Sequence, residues 1–369
     1  MAQTIIGLND AKAVKRYSGN LAVDVGRKGY FSRKFMSGGE VPTTPIWRLT
    51  DLESQAGELI TYDLSMQLRM QPVEGDAVLE GKEEKLEFYT DSVYIDQLRG
   101  GADTGGRMTA KRTLHKLREV AKTRQTDWWA RVFDEIFFMY LSGSRGTNSE
   151  YVFPVGYTGF ANNSFTAPDS EHLIYGGNAT EKADVDAADT MNLAPIDKAV
   201  AYAETMGGGV GGTPQLQPIQ IDGESHYVCV MSSFQAYDLR ASTGAGGWMD
   251  IQKALAAAVG KDSAICKGGL GMHNNVILHS HPNVVKFTDY GAANPPVVEA
   301  HRALFMGTQA AVCAFGSPGT GLRFGWHEET RDNGNRVVIS TNTIVGVKKV
   351  TFNSKDFGVI AIDTAAKKP

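Results

Sequence analysis

Ile60-Thr-Tyr62-Asp-Leu64-Ser-Met66-Gln-Leu68-Arg-Met70 places an apolar residue at every even position and a polar one at every odd position across eleven residues. A period of two marks a strand with one covered and one wet face. At about 3.3 Å per residue the run would span about 36 Å, roughly twice the usual strand length. Pro72, Gly75 and Gly81 then mark a turn region, and residues 85–98 return as a second extended segment carrying Leu86, Phe88, Val93, Tyr94 and Ile95. The two segments predict a long, protruding β-hairpin. A two-stranded ribbon is marginal in water because both edges and most side chains stay exposed, so something must cover it. The expected cover is a neighbouring copy of the chain.

Outward from the hairpin the pattern changes. Residues 1–44 show little periodicity, several glycines and the Pro42/Pro45 pair beyond, and read as an extended arm. Residues 107–142 switch to a helical period, with Leu114, Leu117, Ala121, Trp128, Val132, Ile136 and Met139 on one stripe and Gly143 placed to end it. At about 1.5 Å per residue such a helix could run about 50 Å. Its first half is basic with a narrow apolar stripe. Its second half, from Trp128 to Leu141, is apolar nearly all round and should be buried. Residues 151–187 read as loops with short strands. Helices over 194–206, 233–240 and 248–259 alternate with strands over 227–231 and 275–280, which predicts a mixed α/β unit. Strands over 322–331, 336–350 and 357–362 close the chain, the first two joined through Asp332-Asn333-Gly334-Asn335. The fold class is α+β.

Composition sets bounds on function. With 369 residues, 42% hydrophobic and 21% charged, the chain is an ordinary folded protein with room for two domains. No apolar run approaches the roughly 18 to 20 residues of a membrane span, and the first thirty residues lack the succession of a signal peptide, so a cytoplasmic setting is expected. Cys229, Cys266 and Cys313 are odd in number and far apart, without ligand spacing, and read as small buried apolar residues. The net charge of -4 argues against a dedicated polyanion binder, but the charge is uneven. Up to Gly39 seven basic residues, among them Arg27, Lys28, Arg33 and Lys34, face Asp10 and Asp24, a net of +5. From Gln71 to Arg99 eight acidic residues, among them Glu80, Glu83 and Glu84, face three basic ones, a net of -5.

Motifs that would carry chemistry are weak. Residues 207–212 satisfy GxGxxG through Gly207, Gly209 and Gly212, but they follow a helix and lead into Thr213-Pro214, the reverse of a dinucleotide site, so a flexible loop is the reading. His279 and His281 share a strand face without a carboxylate or cysteine at ligand spacing. Trp128-Trp129 lies in the apolar helix half and reads as core. Lys111, Arg112, Lys116, Arg118, Lys122 and Arg124, with only Glu119 among them, read as a solvated helix face, or as a surface for nucleic acid or an acidic neighbour. No catalytic residue, cofactor or metal site is assigned.

The order arm, long hairpin, long helix, α/β unit and return strands is similar to tailed-bacteriophage major capsid proteins with the Hong Kong 97 (HK97)-type fold. The local sequence sharpens the likeness. Gly75-Asp-Ala-Val-Leu-Glu80-Gly-Lys-Glu-Glu84, Phe88-Tyr89-Thr-Asp91-Ser-Val-Tyr-Ile-Asp96-Gln-Leu-Arg99, Arg107-Met108 and Asp127-Trp-Trp129 resemble the N4-like phage capsid family. The resemblance implies an N-terminal arm (1–44), an extended hairpin loop (45–105), a peripheral domain with a spine helix (106–189), an axial domain (190–321) and peripheral return strands (322–369). It implies a non-enzymatic shell subunit that assembles with itself into hexamers and pentamers of an icosahedral head enclosing double-stranded DNA. Portal, separate scaffolding and decoration proteins would be its partners, with assembly in the host cytoplasm and no membrane. Ile60, Tyr62, Leu64, Met66, Leu68, Met70 and Phe88 are expected at the intersubunit hairpin face. The +5 arm of one subunit is expected along the -5 hairpin of its neighbour. The alternatives are a metal- or nucleotide-dependent enzyme built on the glycine loop or the histidine pair, and another phage structural protein such as a tail-tube subunit.

Overall fold

The apolar half of the predicted long helix is the axis on which the rest is hung. A computed structural model of the chain describes residues 11–38, 43–53, 56–65, 68, 70–207, 214–221, 223–242, 269–292, 298–318 and 323–368. Six helices fall within them: α1 (Ala11–Lys28), α2 (Tyr30–Lys34), α3 (Arg107–Arg112), α4 (Leu117–Ser142), α5 (Leu193–Thr205) and α6 (Ser233–Ala241). The helix expected over 248–259, together with Met66, Gly209, Gly212 and Cys266, lies outside the described residues.

α4 is the spine. Trp129, Ile136, Phe137, Phe138, Met139 and Leu141 are fully buried, whereas Arg118, Glu119 and Val120 in its first turns are exposed. Gly143 ends it in the left-handed conformation at φ 69°, and its N–H donates to the Tyr140 carbonyl. A Cβ there would lie 2.1 Å from the Thr166 oxygen, so glycine is required twice over. The predicted continuous helix is broken. Residues 113–116 leave helical geometry, with Thr113 extended, and Leu114 is fully exposed rather than on the stripe. Among the described residues nothing covers Leu114, and burial of a face is what holds most protein helices.

Two sheets flank the spine. In the first, strands Met36–Gly38, Ile46–Leu49, Ala311–Gly316, Arg336–Lys349 and Phe324–Arg331 lie in that order, and Asp96–Gly106 pairs with Arg336–Lys349 over Arg336 to Val345. That glycine-rich strand was not foreseen. Its reason is contact: a Cβ on Gly100 would come within 2.4 Å of the Trp128 ring, so α4 can lie this close to the strand only over glycine. Trp129 Nε1 donates to Thr341 Oγ1 at 2.7 Å, tying the spine to the longest strand.

The second sheet runs Gly271–His273, Val276–Ser280, Glu224–Met231, Val298–Met306, Val359–Ala365 and Leu173–Tyr175. Alternation decides its two faces. Tyr227, Cys229 and Met231 pack with α5 and α6, while Val228 and Val230 join the spine core. α6 opens on a capping box between Ser232 and Gln235. At the junction of spine and sheet, buried Arg302 donates to Asp363 at 2.6 and 2.7 Å, to the Tyr290 hydroxyl at 3.2 Å and to the last α4 carbonyl, Ser142, at 2.8 Å. Burial pulls the Arg302 proton affinity down, but the Asp363 carboxylate more than restores it.

The expected extended arm is instead helical and packed. Leu21, Val25, Phe31 and Phe35 are buried against the spine, at spacings of four within each pair. Gly19, Gly26 and Gly29 interrupt the sequence pattern and hid this period.

Candidate assembly surfaces

The hairpin is shorter than expected and divides in two. Strands Leu59–Ser65 and Phe88–Tyr94 pair from Leu59 with Tyr94 to Ser65 with Phe88, and residues 70–87 lie beyond without regular strand. At the base the cover comes from the chain itself, not from a neighbour. Ile60 and Tyr62 are buried in a cluster with Leu49, Leu52, Val93, Phe352 and Phe357, and Leu64 packs beside it. The Tyr62 hydroxyl donates to Asp91 at 2.9 Å, and burial followed by the Asp91 charge raises its proton affinity. Asp91 is also paired with Lys348. The outer part lacks this support. Leu68 is 60% exposed, Phe88 60%, Leu86 61% and Val78 66%. Met70 is exposed as well. Glu80, Glu83 and Glu84 are exposed at the tip, where Glu84 accepts from the Met70 N–H at 2.6 Å and Glu83 from the Gly81 N–H at 2.7 Å.

The arm cations do not act as one group. Lys28 pairs with Asp127 at 2.7 Å, and half-buried Lys34 stands 5.4 Å from the Tyr30 ring. Arg27 and Arg33 are exposed. The arm is seated by Asp134, whose carboxylate accepts the backbone N–H groups of Tyr30 at 2.9 Å and Phe31 at 3.2 Å. Burial pushes that carboxyl up to about 6 even though the two N–H groups pull it down. His281 packs on Tyr30 with ring centroids 4.5 Å apart, and burial with nearby Lys34 pushes its imidazole down to about 4. His279 contacts Phe35 and Tyr30, so both histidines belong to an aromatic packing cluster. Among the described residues no three His, Cys, Asp or Glu side chains converge as a metal site.

The basic face is more structured than a solvated stripe. Tyr17 of α1 stacks on Trp326 at 5.4 Å, with Arg118 and Lys122 at 5.3 and 5.6 Å from its ring. Arg118 bonds buried Glu328 at 2.7 Å, which raises its proton affinity. Lys116 pairs with Glu119 and Arg124 with Asp127, while Lys111 and Arg112 are exposed on α3. Tyr17, Trp326, Lys116, Arg118, Glu119 and Lys122, together with Arg107 and the Gly334-Asn335 turn, border a groove of about 640 Å³. Sequence reasoning missed it, because Tyr17 and Trp326 are 309 positions apart and only the helical arm brings them together. Of the glycine loop only Gly207 is described, at φ 95°. Cys229 and Cys313 are buried thiols pushed up by burial, Cys229 to about 12.

A spine helix flanked by two sheets, the second carrying α5 and α6, and a projecting hairpin define the HK97-type class of shell subunit. Residues 5–368 match the sequence profile of the family described as phage capsid protein. The major capsid protein of Pseudomonas phage KPP25 is 26% identical over 322 residues, 80% of each chain. The capsid of Ralstonia phage GP4 superposes with a TM-score of 0.86 at 49% identity, covering 100% of this chain and 99% of that one. The Cyanophage Pam1 capsid shares the fold at 21% identity, with a TM-score of 0.70 and 93% coverage of both chains. The chain belongs to the phage capsid protein family and is a major capsid protein, a structural subunit of a phage head.

Proposed function

We propose that the chain closes into an icosahedral head of hexamers and pentamers around double-stranded DNA, assembling in the host cytoplasm and meeting a portal and separate scaffolding or decoration proteins there. The observation that carries the reading is likeness to the capsid of Ralstonia phage GP4 along the whole chain, hairpin included. The division into arm (1–44), hairpin loop (45–105), peripheral domain (106–189 with 322–369) and axial domain (190–321) is part of this proposal. So is the role of the outer hairpin, from Leu68 through Phe88, as the face that a neighbouring subunit covers. Closure asks one subunit for slightly different contacts at different positions, which favours an adjustable outer hairpin on a rigid core.

Negative-stain microscopy of the purified protein tests the reading. Closed shells are the expected product. Open helical tubes would assign a tail-tube role, and a monodisperse monomer at high concentration would overturn assembly altogether.

A further inference from the structure

We propose that the groove between α1, the basic end of the spine and the turn at Gly334 is a binding site for the phosphodiester backbone of packaged DNA. The inference rests on the capsid reading and names the place on the subunit where the nucleic acid is held.

Charge is the first argument. Residues 107–124 carry seven cations against Glu119 alone. Lys116, Arg118 and Arg124 are engaged by Glu119, Glu328 and Asp127. Arg107, Lys111, Arg112 and Lys122 have no carboxylate at ion-pair distance among the described residues. Of the acids near the groove, Asp103 is paired with Arg336.

Shape is the second. The wall at Gly334 carries no side chain, and a Cβ there would meet only the Arg107 guanidinium, at 3.9 Å, so a linear polyanion can approach the backbone beside that cation. Exposed Lys111 and Arg112 follow the groove-lining Ala110 along α3. A neighbour's acidic hairpin tip is the competing occupant, and the peptide arm of the test separates the two. Binding of this kind reads charge and not sequence.

The test uses unassembled full-length subunits and a short fluorescein-labelled DNA duplex, with anisotropy followed across a salt series. Replacing Arg107, Lys111 and Lys122 together by Glu should weaken binding and flatten the slope of log affinity against log salt by about 0.9 for each phosphate no longer neutralised. A second variant with Gln at the same positions should do the same to a smaller degree, and covers the case in which the first fails to fold. Replacing exposed Lys198, Lys367 and Lys368 by Glu changes the net charge equally and should leave the slope unchanged. Equal weakening in the two Glu variants, or unchanged binding in the groove variants, would overturn the site. So would a synthetic peptide of residues 71–88 that binds wild type but not the groove variants, which would give the groove to a neighbouring hairpin. Shell formation by the same variants, scored by microscopy, tests the capsid reading separately.

Discussion

Asp134 and His281 both contact Tyr30, and burial moves their proton affinities in opposite directions. The Asp134 carboxyl rises from an ordinary 3.8 to about 6, so the folded state binds the proton more tightly than the unfolded chain. Its contribution to stability therefore grows as pH falls from about 6 toward 3.8 and is lost as pH rises through 6. His281 falls from 6.5 to about 4, so its contribution is complete above 6.5 and is lost as pH falls toward 4. The two trends oppose each other over nearly the same window. Relative to wild type, Asp134→Asn should lose stability on acidification from pH 6.5 to 4, and His281→Phe should gain it, each by about 2–3 kcal/mol. Denaturant midpoints across that range measure this, and parallel profiles for all three proteins would refute it. Arg302 is a simpler case. Arg302→Ala leaves Asp363 charged and the Ser142 carbonyl unpaired inside the protein, and should cost about 3–5 kcal/mol in chemical denaturation.

At the level of elements, the hairpin tip offers the sharpest test. If a neighbour's arm lies along the acidic tip, changing Glu80, Glu83 and Glu84 to Lys should impair shell formation. Of Arg27, Lys28, Arg33 and Lys34, Arg27 and Arg33 are exposed and unengaged by Asp127 or Tyr30, so reversing those two should restore part of the yield. Normal assembly by the tip variant, read by sedimentation, would remove the contact from consideration. The hairpin base, the buried half of the spine and the strand pair around Asn333-Gly334 were legible in the sequence because each is fixed by local period or turn chemistry. What was not legible depends on distant partners. The helical arm was masked by glycines at 19, 26 and 29, although Leu21, Val25, Phe31 and Phe35 keep a spacing that the spine completes. The strand Asp96–Gly106 carries no apolar alternation, and Gly100 makes sense only beneath Trp128. The break at 113–116 likewise follows from the lack, among the described residues, of a surface for Leu114.

At the scale of the whole molecule, family membership was legible because the order of elements and the motifs between Gly75 and Trp129 lie close together in sequence. The surfaces were less so. The groove joins the arm, the spine and the return strands, three regions separated by most of the chain, and no local pattern announces it. The hairpin combines both cases. Its inner half is clamped by Ile60, Tyr62 and Val93 in a cluster of the chain's own side chains, and its outer half has no such hold. Mechanically it is a cantilever, a beam built into a wall at one end and free at the other. Under a load at its tip such a beam bends most sharply just outside the wall, near Ser65 and Phe88, so a small change of angle at that root carries the tip furthest while the wall itself is not asked to yield.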